Sequence, residues 1–135
     1  MNVLLDINII LDVLQKRGDY YIDSARVMSL CANNVINGYL SSISFGTIHY
    51  ILSKSIGKNK SLTYLKKIRA FTLVALVDTE AIDLALTSNL ADLEDALQYY
   101  SAIRSGINYI ITRNKKDFPK SELSVVTPRE FLTLI

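Results

Sequence analysis

The sequence opens with MNVLLDINIILD, residues 1–12, and this stretch decides the fold. Val3, Leu4 and Leu5 form a short apolar run with no polar face, and Asp6 follows at once. A second apolar run, residues 9–11, comes shortly afterwards. The simplest physical interpretation is a buried strand that ends in a carboxylate and leads directly into a helix. In an open α/β sheet, ligands bind outside the carboxyl ends of the strands, so Asp6 is placed where a ligand would lie.

The length and composition are those of one ordinary domain. The chain has 135 residues, of which 50% are hydrophobic and 21% charged, so it can build a core without disulfides or a structural metal. It contains no internal repeat, no low-complexity tract and no linker-like segment. We therefore predict a single domain over residues 1–135.

Charge and residue counts exclude several classes of site. The net charge of +2 does not by itself indicate a nucleic-acid binder, so any basic surface must be local. A single cysteine, Cys31, excludes an internal disulfide, and a single histidine, His49, excludes a His-rich metal site. No run approaches the roughly 18 apolar residues of a membrane span, and no basic leader or cleavage site is recognisable. We expect a cytoplasmic protein with no membrane segment.

Strand-like and helical segments alternate along the chain. The predicted strands are residues 2–6, 38–43, 73–77, 108–112 and 125–126. The predicted helices are residues 7–15, 20–33, 44–53, 60–70, 80–87, 92–105 and 129–134. Apolar strands that alternate with helices predict a three-layer α/β/α fold with a central parallel five-stranded sheet.

Acidic or amide side chains stand next to a strand end or a helix start at four places. They are Asp6 with Asn8 after the first strand, Asp78 after the third, Asp92, Glu94 and Asp95 at the start of the long helix, and Asn114 with Asp117 after the fourth. If the first and fourth strands are neighbours, Asp6 and the turn 112–114 share one edge of the sheet. The helix from Asp92 precedes the fourth strand, so its side chains can reach that edge.

Such a cluster would suit a divalent cation. Carboxylates repel one another unless a cation or a proton holds them, and hard oxygen ligands suit Mg²⁺ or Mn²⁺. A site of this kind polarises a phosphate and activates a water, which is the chemistry of phosphodiester hydrolysis. Taken singly, Asp92 and Glu94 also fit a helix start favoured by the dipole, and Asp117 fits a turn before Pro119. Asp6 is harder to explain by solvation, because it closes an apolar strand.

Two segments resemble a known family. VLLDINIILDVL, residues 3–14, resembles the opening Asp-Thr-Asn segment of PIN domains. DLEDALQYYSAIRSGINYIITRNKKDF, residues 92–118, resembles their closing half, where Asp-Ala begins a helix and Thr-Arg-Asn or Thr-Arg-Asp follows the fourth strand. PIN domains are metal-dependent ribonucleases, and the small single-domain bacterial ones are mostly VapC-like toxins paired with an antitoxin. The resemblance also implies the parallel five-stranded sheet.

The resemblance implies roles for individual residues. Asp6 would be the first metal-binding carboxylate and Asp95 the one on the long helix. The closing acid of the family falls at Asn114, and Asp117, three residues on, is the nearest carboxylate, so both stay candidates for the catalytic site. In addition, Asn8 would orient Asp6 or a metal-bound water, and Thr112 would support the turn. The implied cofactor is Mg²⁺ or Mn²⁺.

One position departs from the family pattern. The family usually carries a glutamate on the helix after the second strand, and SSISFGTIHY, residues 41–50, puts Thr47 there. No acid occurs between Asp23 and Asp78, so the site starts one carboxylate short. Glu94 or Asp92 would compensate if its side chain faces the cleft. Otherwise metal binds weakly, and a PIN-like domain that binds RNA or a protein partner without cutting becomes the alternative.

Two basic groups are candidate RNA contacts. Arg113, Lys115 and Lys116 flank the proposed site, whereas Lys66 and Lys67 belong to the acid-free segment 54–69. Phosphate neutralisation by such residues would give salt-dependent, sequence-independent RNA affinity. For Lys66 and Lys67, a solvated helix face explains the pattern equally well.

These observations lead to one prediction of function. We predict a metal-dependent endoribonuclease, the toxin of a toxin–antitoxin pair, with RNA as substrate, an antitoxin protein as partner and a homodimer as its assembly. A phosphotransferase that forms an aspartyl phosphate would also place an aspartate after a strand. It fits the flanks of Asp6 poorly, because Asn8 and Ile10 stand where a second aspartate and a hydroxyl residue would be needed.

Overall fold

The computed structural model describes residues 1–119 and 122–135. The strands are β1 (Asn2–Leu5), β2 (Asn37–Ser41), β3 (Leu73–Ala75), β4 (Tyr109–Ile111) and β5 (Ser124–Val126). The helices are α1 (Ile7–Leu14), α2 (Tyr20–Ala32), α3 (Ser44–Ile56), α4 (Lys58–Phe71), α5 (Thr79–Thr87), α6 (Leu93–Arg104) and α7 (Pro128–Leu132), with a 3₁₀ turn at Lys115–Asp117. Within these residues, no helix has both the length and the apolar composition that crossing a bilayer requires.

The strands form one sheet in the order β3-β2-β1-β4-β5, and every neighbouring pair is parallel. β1 takes the central place because Val3, Leu4 and Leu5 are all fully buried, which suits a strand covered on both faces. Leu4 lies opposite Tyr39 of β2 on one side and Ile110 of β4 on the other. The prediction that the first and fourth strands are neighbours is therefore confirmed.

Alternate residues of β1 point into two separate cores. Leu4 packs with Tyr99 and Ala102 of α6 on one face of the sheet, and α5 lies against α6. Leu5 packs on the opposite face in the core that contains Ile10 of α1 and residues of α2, α3, α4 and α7. The predicted three-layer α/β/α fold with a parallel five-stranded sheet is confirmed.

The edge strand β3 differs from the prediction of a strand over residues 73–77 covered on both faces. β3 ends at Ala75, Leu73 and Leu76 are exposed, and the Val77 backbone N–H donates to Ser42 Oγ at 3.1 Å instead of continuing the ladder. An apolar run alone does not reveal that a strand lies at a sheet edge. The helices α3 and α4 are both longer than predicted, because only Gly57, at φ +84°, separates them.

The close approach of β2 to α2 generates a stability prediction. A Cβ atom added at Gly38 would collide with Cys31 Sγ and lie 3.2 Å from Cys31 Cβ. We expect Gly38→Ala to lower the free energy of unfolding by about 1–3 kcal/mol, measured by urea denaturation, because the packed core cannot give way. Combining it with Cys31→Ala should recover part of that loss.

Gly46→Ala is the matched control. A Cβ at Gly46 meets no atom within 4 Å, and Gly46 lies inside α3, so the variant should be neutral or more stable by up to about 1 kcal/mol. Strict additivity of Gly38→Ala and Cys31→Ala would show that the contact between them is not the cause.

Candidate active site

Asp6 is a buried carboxylate at the carboxyl end of β1. Its backbone N–H donates to the Ile111 carbonyl at 3.0 Å, which extends the pairing of β1 with β4 by one residue. Thr112 Oγ1 then donates to Asp6 Oδ2 at 2.7 Å. Burial raises the pKa of Asp6, and hydrogen bonds from Thr112, the Ile7 backbone and Gln98 oppose that rise. The sheet register therefore fixes this carboxylate and partly stabilises its charge.

Asp6 faces a cleft of about 240 Å³ at the carboxyl edge of the sheet. Three elements supply its polar side chains: the start of α1, the first turns of α3 and the N-terminal part of α6. These side chains are Asp6, Asn8, Thr47, Asp92, Glu94, Asp95 and Gln98. The fold thus brings together the two ends of the chain that carry the predicted acids.

The first turn of α6 presents its acids to the cleft. Asp92 is the N-cap, and its Oδ1 accepts from the Asp95 backbone N–H at 2.9 Å. The capping role considered for Asp92 is therefore real, although Asp92 also lines the cleft. Glu94, Asp95 and Gln98 follow at spacings that place them on one side of the helix.

Glu94 reaches the position where the family glutamate was expected. Thr47 Oγ1 donates to Glu94 Oε2 at 3.3 Å, although 47 positions separate the two residues in the chain. Burial and then the charges of Asp92 and Asp6 raise the pKa of Glu94, while the hydrogen bond from Thr47 lowers it. The side chain of Glu94 therefore faces the cleft, as it must if it is to compensate for the absence of a glutamate at position 47.

Asp95 feels the crowding of acids most strongly. Burial, followed by the charges of Asp92, Asp6, Asp117 and Glu94 in that order, together raise its pKa to about 7. Asp117 stands at the end of the 3₁₀ turn, and its charge also raises the pKa of Asp6. Mutual repulsion of this kind is typical of carboxylates that bind a cation.

Asn114 and Asp117 occupy different parts of the turn after β4. The Asn114 backbone N–H donates to Thr112 Oγ1 at 3.0 Å, and the Asn114 carbonyl accepts from the Asp117 backbone N–H at 3.0 Å. Asn114 thereby helps to aim the hydroxyl that holds Asp6. The charge of Asp117 acts on both Asp6 and Asp95, which favours Asp117 as the closing acid.

The donor set suits a hard cation. All polar groups in the cleft offer oxygen, and the buried Gln98 Oε1 has no hydrogen-bond partner among residues 1–119 and 122–135. Within those ranges, no three Asp, Glu, His or Cys side chains form a group that could hold a metal ion, so the role of Asp6, Asp95 and Asp117 as joint metal ligands stays a prediction. One or two carboxylates completed by waters still match the usual coordination of Mg²⁺.

Several other candidates lie outside the cleft. Asp78 caps α5 by accepting from the Ala81 backbone N–H at 2.9 Å and pairs with Arg104 at 2.7 Å, so its role is structural. Lys66 and Lys67 lie on α4, which packs against α3, and Lys67 Nζ stands 5.7 Å from the Tyr64 ring.

The basic residues after β4 have distinct environments. Arg113 Nη1 lies 3.5 Å from the buried Asp12 carboxylate, and Lys115 Nζ lies 3.0 Å from Glu130 Oε2. Lys116 is exposed. Arg113 is therefore fixed by the buried carboxylate of Asp12, whereas Lys115 pairs with Glu130 at the surface.

Gln98 lines the cleft but was not among the predicted site residues. Its side chain is buried and hydrogen-bonds the Asp6 carboxylate. The available signal was its spacing, three residues after Asp95 and four after Glu94, which puts it on the same side of α6.

The sequence and the fold both match known proteins. The family model described as PIN domain matches residues 2–116. The chain is 29% identical over 134 residues to Ribonuclease VapC1 of Aquifex aeolicus (strain VF5), covering 96% of this chain and 92% of that protein.

Two solved structures share the fold over nearly the whole chain. One is DNA-bound VapBC from Salmonella typhimurium, with a TM-score of 0.71, 17% identity and coverage of 95% of this chain and 98% of that one. The other is a toxin-antitoxin complex from Klebsiella pneumoniae, with a TM-score of 0.67, 21% identity and coverage of 93% and 97%.

The raised pKa of Asp95 predicts a pH-dependent stability. The carboxyl of Asp95 has a pKa of about 7 in the folded protein against an ordinary value of 3.8. Its contribution to the free energy of unfolding is therefore fully present below about pH 4 and is lost as the pH rises through 7. We expect the melting temperature of the metal-free protein to fall between about pH 5 and about pH 8, and to fall less steeply in Asp95→Asn.

Asp83→Asn, an exposed change on α5, should keep the wild-type pH profile. Adding Mg²⁺ should raise the melting temperature more at the higher pH, because a cation binds the deprotonated carboxylates. Parallel profiles for wild type and Asp95→Asn would assign the pH dependence to other groups.

Proposed function

The chain belongs to the PIN domain family, and from that premise we propose that it is a metal-dependent endoribonuclease that hydrolyses phosphodiester bonds of RNA. The observation that carries the proposal is the cleft, in which the side chains of Asp6, Asp92, Glu94 and Asp95 share about 240 Å³. A protein gains nothing in stability from such crowding, whereas a divalent cation would turn the repulsion into binding energy.

We propose Asp6 and Asp95 as the protein ligands of the metal, with waters completing its coordination, and Glu94 and Asp117 as further carboxylates whose charge acts on that site. Asp6 is suited to this role because Thr112 and Gln98 fix its orientation. The oxygen donors do not discriminate between Mg²⁺ and Mn²⁺. When bound, the cation supplies the positive charge that stabilises a phosphodiester under attack by water.

The remaining residues of the cleft position the reacting groups. Asn8 is held by Arg17 Nη1, which donates to its Oδ1 at 3.3 Å, so the amide has a fixed direction beside Asp6. The unpartnered Gln98 Oε1 offers an acceptor for a water at the back of the cleft. Asp95, with a pKa of about 7, would have to lose its proton to hold a cation, so metal affinity should rise with pH.

The relatives support a more specific biological role. The Aquifex relative is named a ribonuclease, and the Klebsiella structure is a toxin-antitoxin complex. We propose that this chain is likewise the toxin of a toxin–antitoxin pair, with RNA as its substrate and an antitoxin protein as its partner. The homodimer expected from the resemblance stays a prediction.

One observation favours a second function, binding of RNA or a protein without cleavage. In the described part of the chain, no three potential ligands form a metal-binding group. The resemblance to the family also implies that Thr47 takes the place of a glutamate. The nuclease and this binding role differ in one measurable respect, which is metal-dependent cutting.

We expect the wild-type protein, freed of any partner, to cut a labelled total-RNA pool with Mg²⁺ or Mn²⁺ and to stop in EDTA. Asp6→Asn and Asp95→Asn should each reduce the cutting rate by at least about 100-fold, because each removes a carboxylate that holds the cation. Product accumulation on denaturing gels measures the rate.

Asp83→Asn on α5 is the matched control and should cut like wild type, since it removes the same charge at an exposed site outside the cleft. If folded wild-type protein cuts nothing with either metal, the proposal fails and the non-cleaving role takes its place.

A separate prediction tests whether Glu94 substitutes for the glutamate that is absent at Thr47. Glu94→Gln should raise the metal concentration needed for half-maximal cutting by roughly tenfold, because it removes carboxylate charge from the cleft. Adding Thr47→Glu to that variant should restore much of the affinity, since Thr47 and Glu94 are hydrogen-bonded across the cleft.

Thr47→Val, which removes the hydroxyl but keeps the shape, is the control and should have a smaller effect than Glu94→Gln. An unchanged metal dependence in Glu94→Gln would mean that the site works with fewer carboxylates and that Glu94 is not the substitute.

A further inference from the structure

A second and larger cavity lies at the same edge of the sheet as the cleft. Its volume is about 660 Å³, within the range of small-molecule sites. Its walls include Arg17 from the turn after α1, Tyr20 and Ser24 from α2, Arg113 from the turn after β4, and Arg129 from α7. None of these residues has a role in the cleft described above beyond the contact of Arg17 with Asn8.

Two residues of the cavity wall lie next to residues of the cleft. Arg17 lines the cavity and donates to Asn8 Oδ1 at 3.3 Å, while Asn8 lines the cleft. Arg113 lines the cavity and directly follows Thr112, which hydrogen-bonds Asp6. The cavity and the cleft are therefore neighbours through the contact of Arg17 with Asn8.

The two guanidinium groups share one buried carboxylate. Asp12 in α1 is fully buried, and its Oδ1 lies 3.5 Å from Arg113 Nη1 and 3.8 Å from Arg17 Nη1. Neither Asp12 oxygen has a hydrogen-bond partner within the described ranges. One carboxylate therefore faces two guanidinium groups, although Asp19 also lines the cavity. Arg17 also donates from Nε to Gln15 Oε1 at 2.8 Å and from Nη1 to Asn8 Oδ1, so its Nη2 group is the part that can meet a ligand. Arg113 contacts Asp12 and the Tyr20 ring and keeps N–H donors for a further partner.

The cavity also offers a ring and an unused hydroxyl. Arg113 Cζ lies 4.3 Å from the Tyr20 ring centroid, and 51% of Tyr20 is exposed. An exposed tyrosine ring can stack on a nucleic-acid base of any identity. Ser24 Oγ is buried at the cavity wall and has no hydrogen-bond partner in the part of the chain that the structure describes.

The charge of the cleft itself argues for an anion beside it. The described residues that line the cleft include four acids and no lysine or arginine. A phosphodiester approaching those acids is repelled until positive charge compensates, and Arg17 and Arg113 are the cations joined to the cleft. Of the cavity's own acids, Asp23 already pairs with Arg129 at 3.1 Å, and Asp19 is exposed and forms no side-chain cap bond.

We propose that this cavity is a nucleotide subsite that holds one nucleotide of single-stranded RNA adjacent to the bond placed in the cleft. Arg17 and Arg113 contact its phosphate, and the base stacks on Tyr20. The inference rests on the proposed ribonuclease function, because the occupant is the strand being cut. Asp12 is the positioning residue that holds both guanidinium groups.

The test exploits the absence of tryptophan from the chain. Tyr20→Trp introduces a single tryptophan at the proposed stacking position, and its emission is excited separately from that of the remaining tyrosines. Titration with a short single-stranded oligouridylate in EDTA, where no metal-dependent cutting occurs, should quench its emission. Val35→Trp is the control. Val35 is exposed just before β2, at the opposite end of the strands, so its emission should not respond.

Charge variants test the phosphate contact in the same metal-free buffer, by fluorescence anisotropy of a labelled oligouridylate. Arg17→Gln should weaken binding roughly tenfold and lower the salt dependence by about one counterion, whereas Arg26→Gln, an exposed change on α2 outside the cavity walls, should do neither. Asp19→Asn should tighten binding by a few-fold, because it removes an anion beside the cavity.

These measurements separate this inference from the proposed function. Quenching in Tyr20→Trp together with loss of affinity in Arg17→Gln supports the subsite even if the wild type cuts no RNA. Metal-dependent cutting with no quenching, or an Arg17→Gln variant that binds like wild type, overturns the subsite and leaves the nuclease standing. Quenching only by a protein segment would assign the cavity to a protein partner and would also overturn it.

Discussion

The hydrogen bond from Thr112 to the buried carboxylate of Asp6 is the interaction on which the rest of the site depends. It joins residues 106 positions apart, and it exists only because β1 and β4 are parallel neighbours. A carboxylate buried without hydrogen bonds costs several kcal/mol, so the strand order that brings Thr112 to Asp6 also makes the acid tolerable. Fold and site are therefore specified by the same pairing of strands.

The acids around Asp6 work against the stability of the metal-free fold. Asp95 has a pKa of about 7, which means that the protein resists the full set of charges near neutral pH. Local packing and capping do not require this cluster, since one capping residue, Asp92, suffices to start α6. Clusters of acids that lower the stability of the free protein are expected at functional sites, where a bound partner supplies the compensating interaction.

The parts of the structure that sequence could predict are those encoded locally. The apolar run that ends in Asp6 predicts both the central strand and the edge where the site lies, because burial and strand polarity follow from the pattern itself. The exposed edge position of β3 and the contact between Thr47 and Glu94 depend on how distant helices cross, so no local pattern contains them. Gln98 lies between these cases, because its helical spacing from Asp95 was visible but its burial was not.

The opening stretch does more than its apolar pattern suggests, because polar residues of α1 serve both the cleft and the arginines of the larger cavity. Asn8 belongs to the carboxylate cleft, and Asp12, four residues later, holds Arg17 and Arg113 at the larger cavity. Arg17 returns to Asn8 because the chain turns sharply at Lys16 and Gly18, which have φ of +48° and +47°. Asn8 and Asp12 are four residues apart and lie on one side of α1, so Arg17 reaches both, and one face of a short helix links the acidic cleft to the arginines of the cavity.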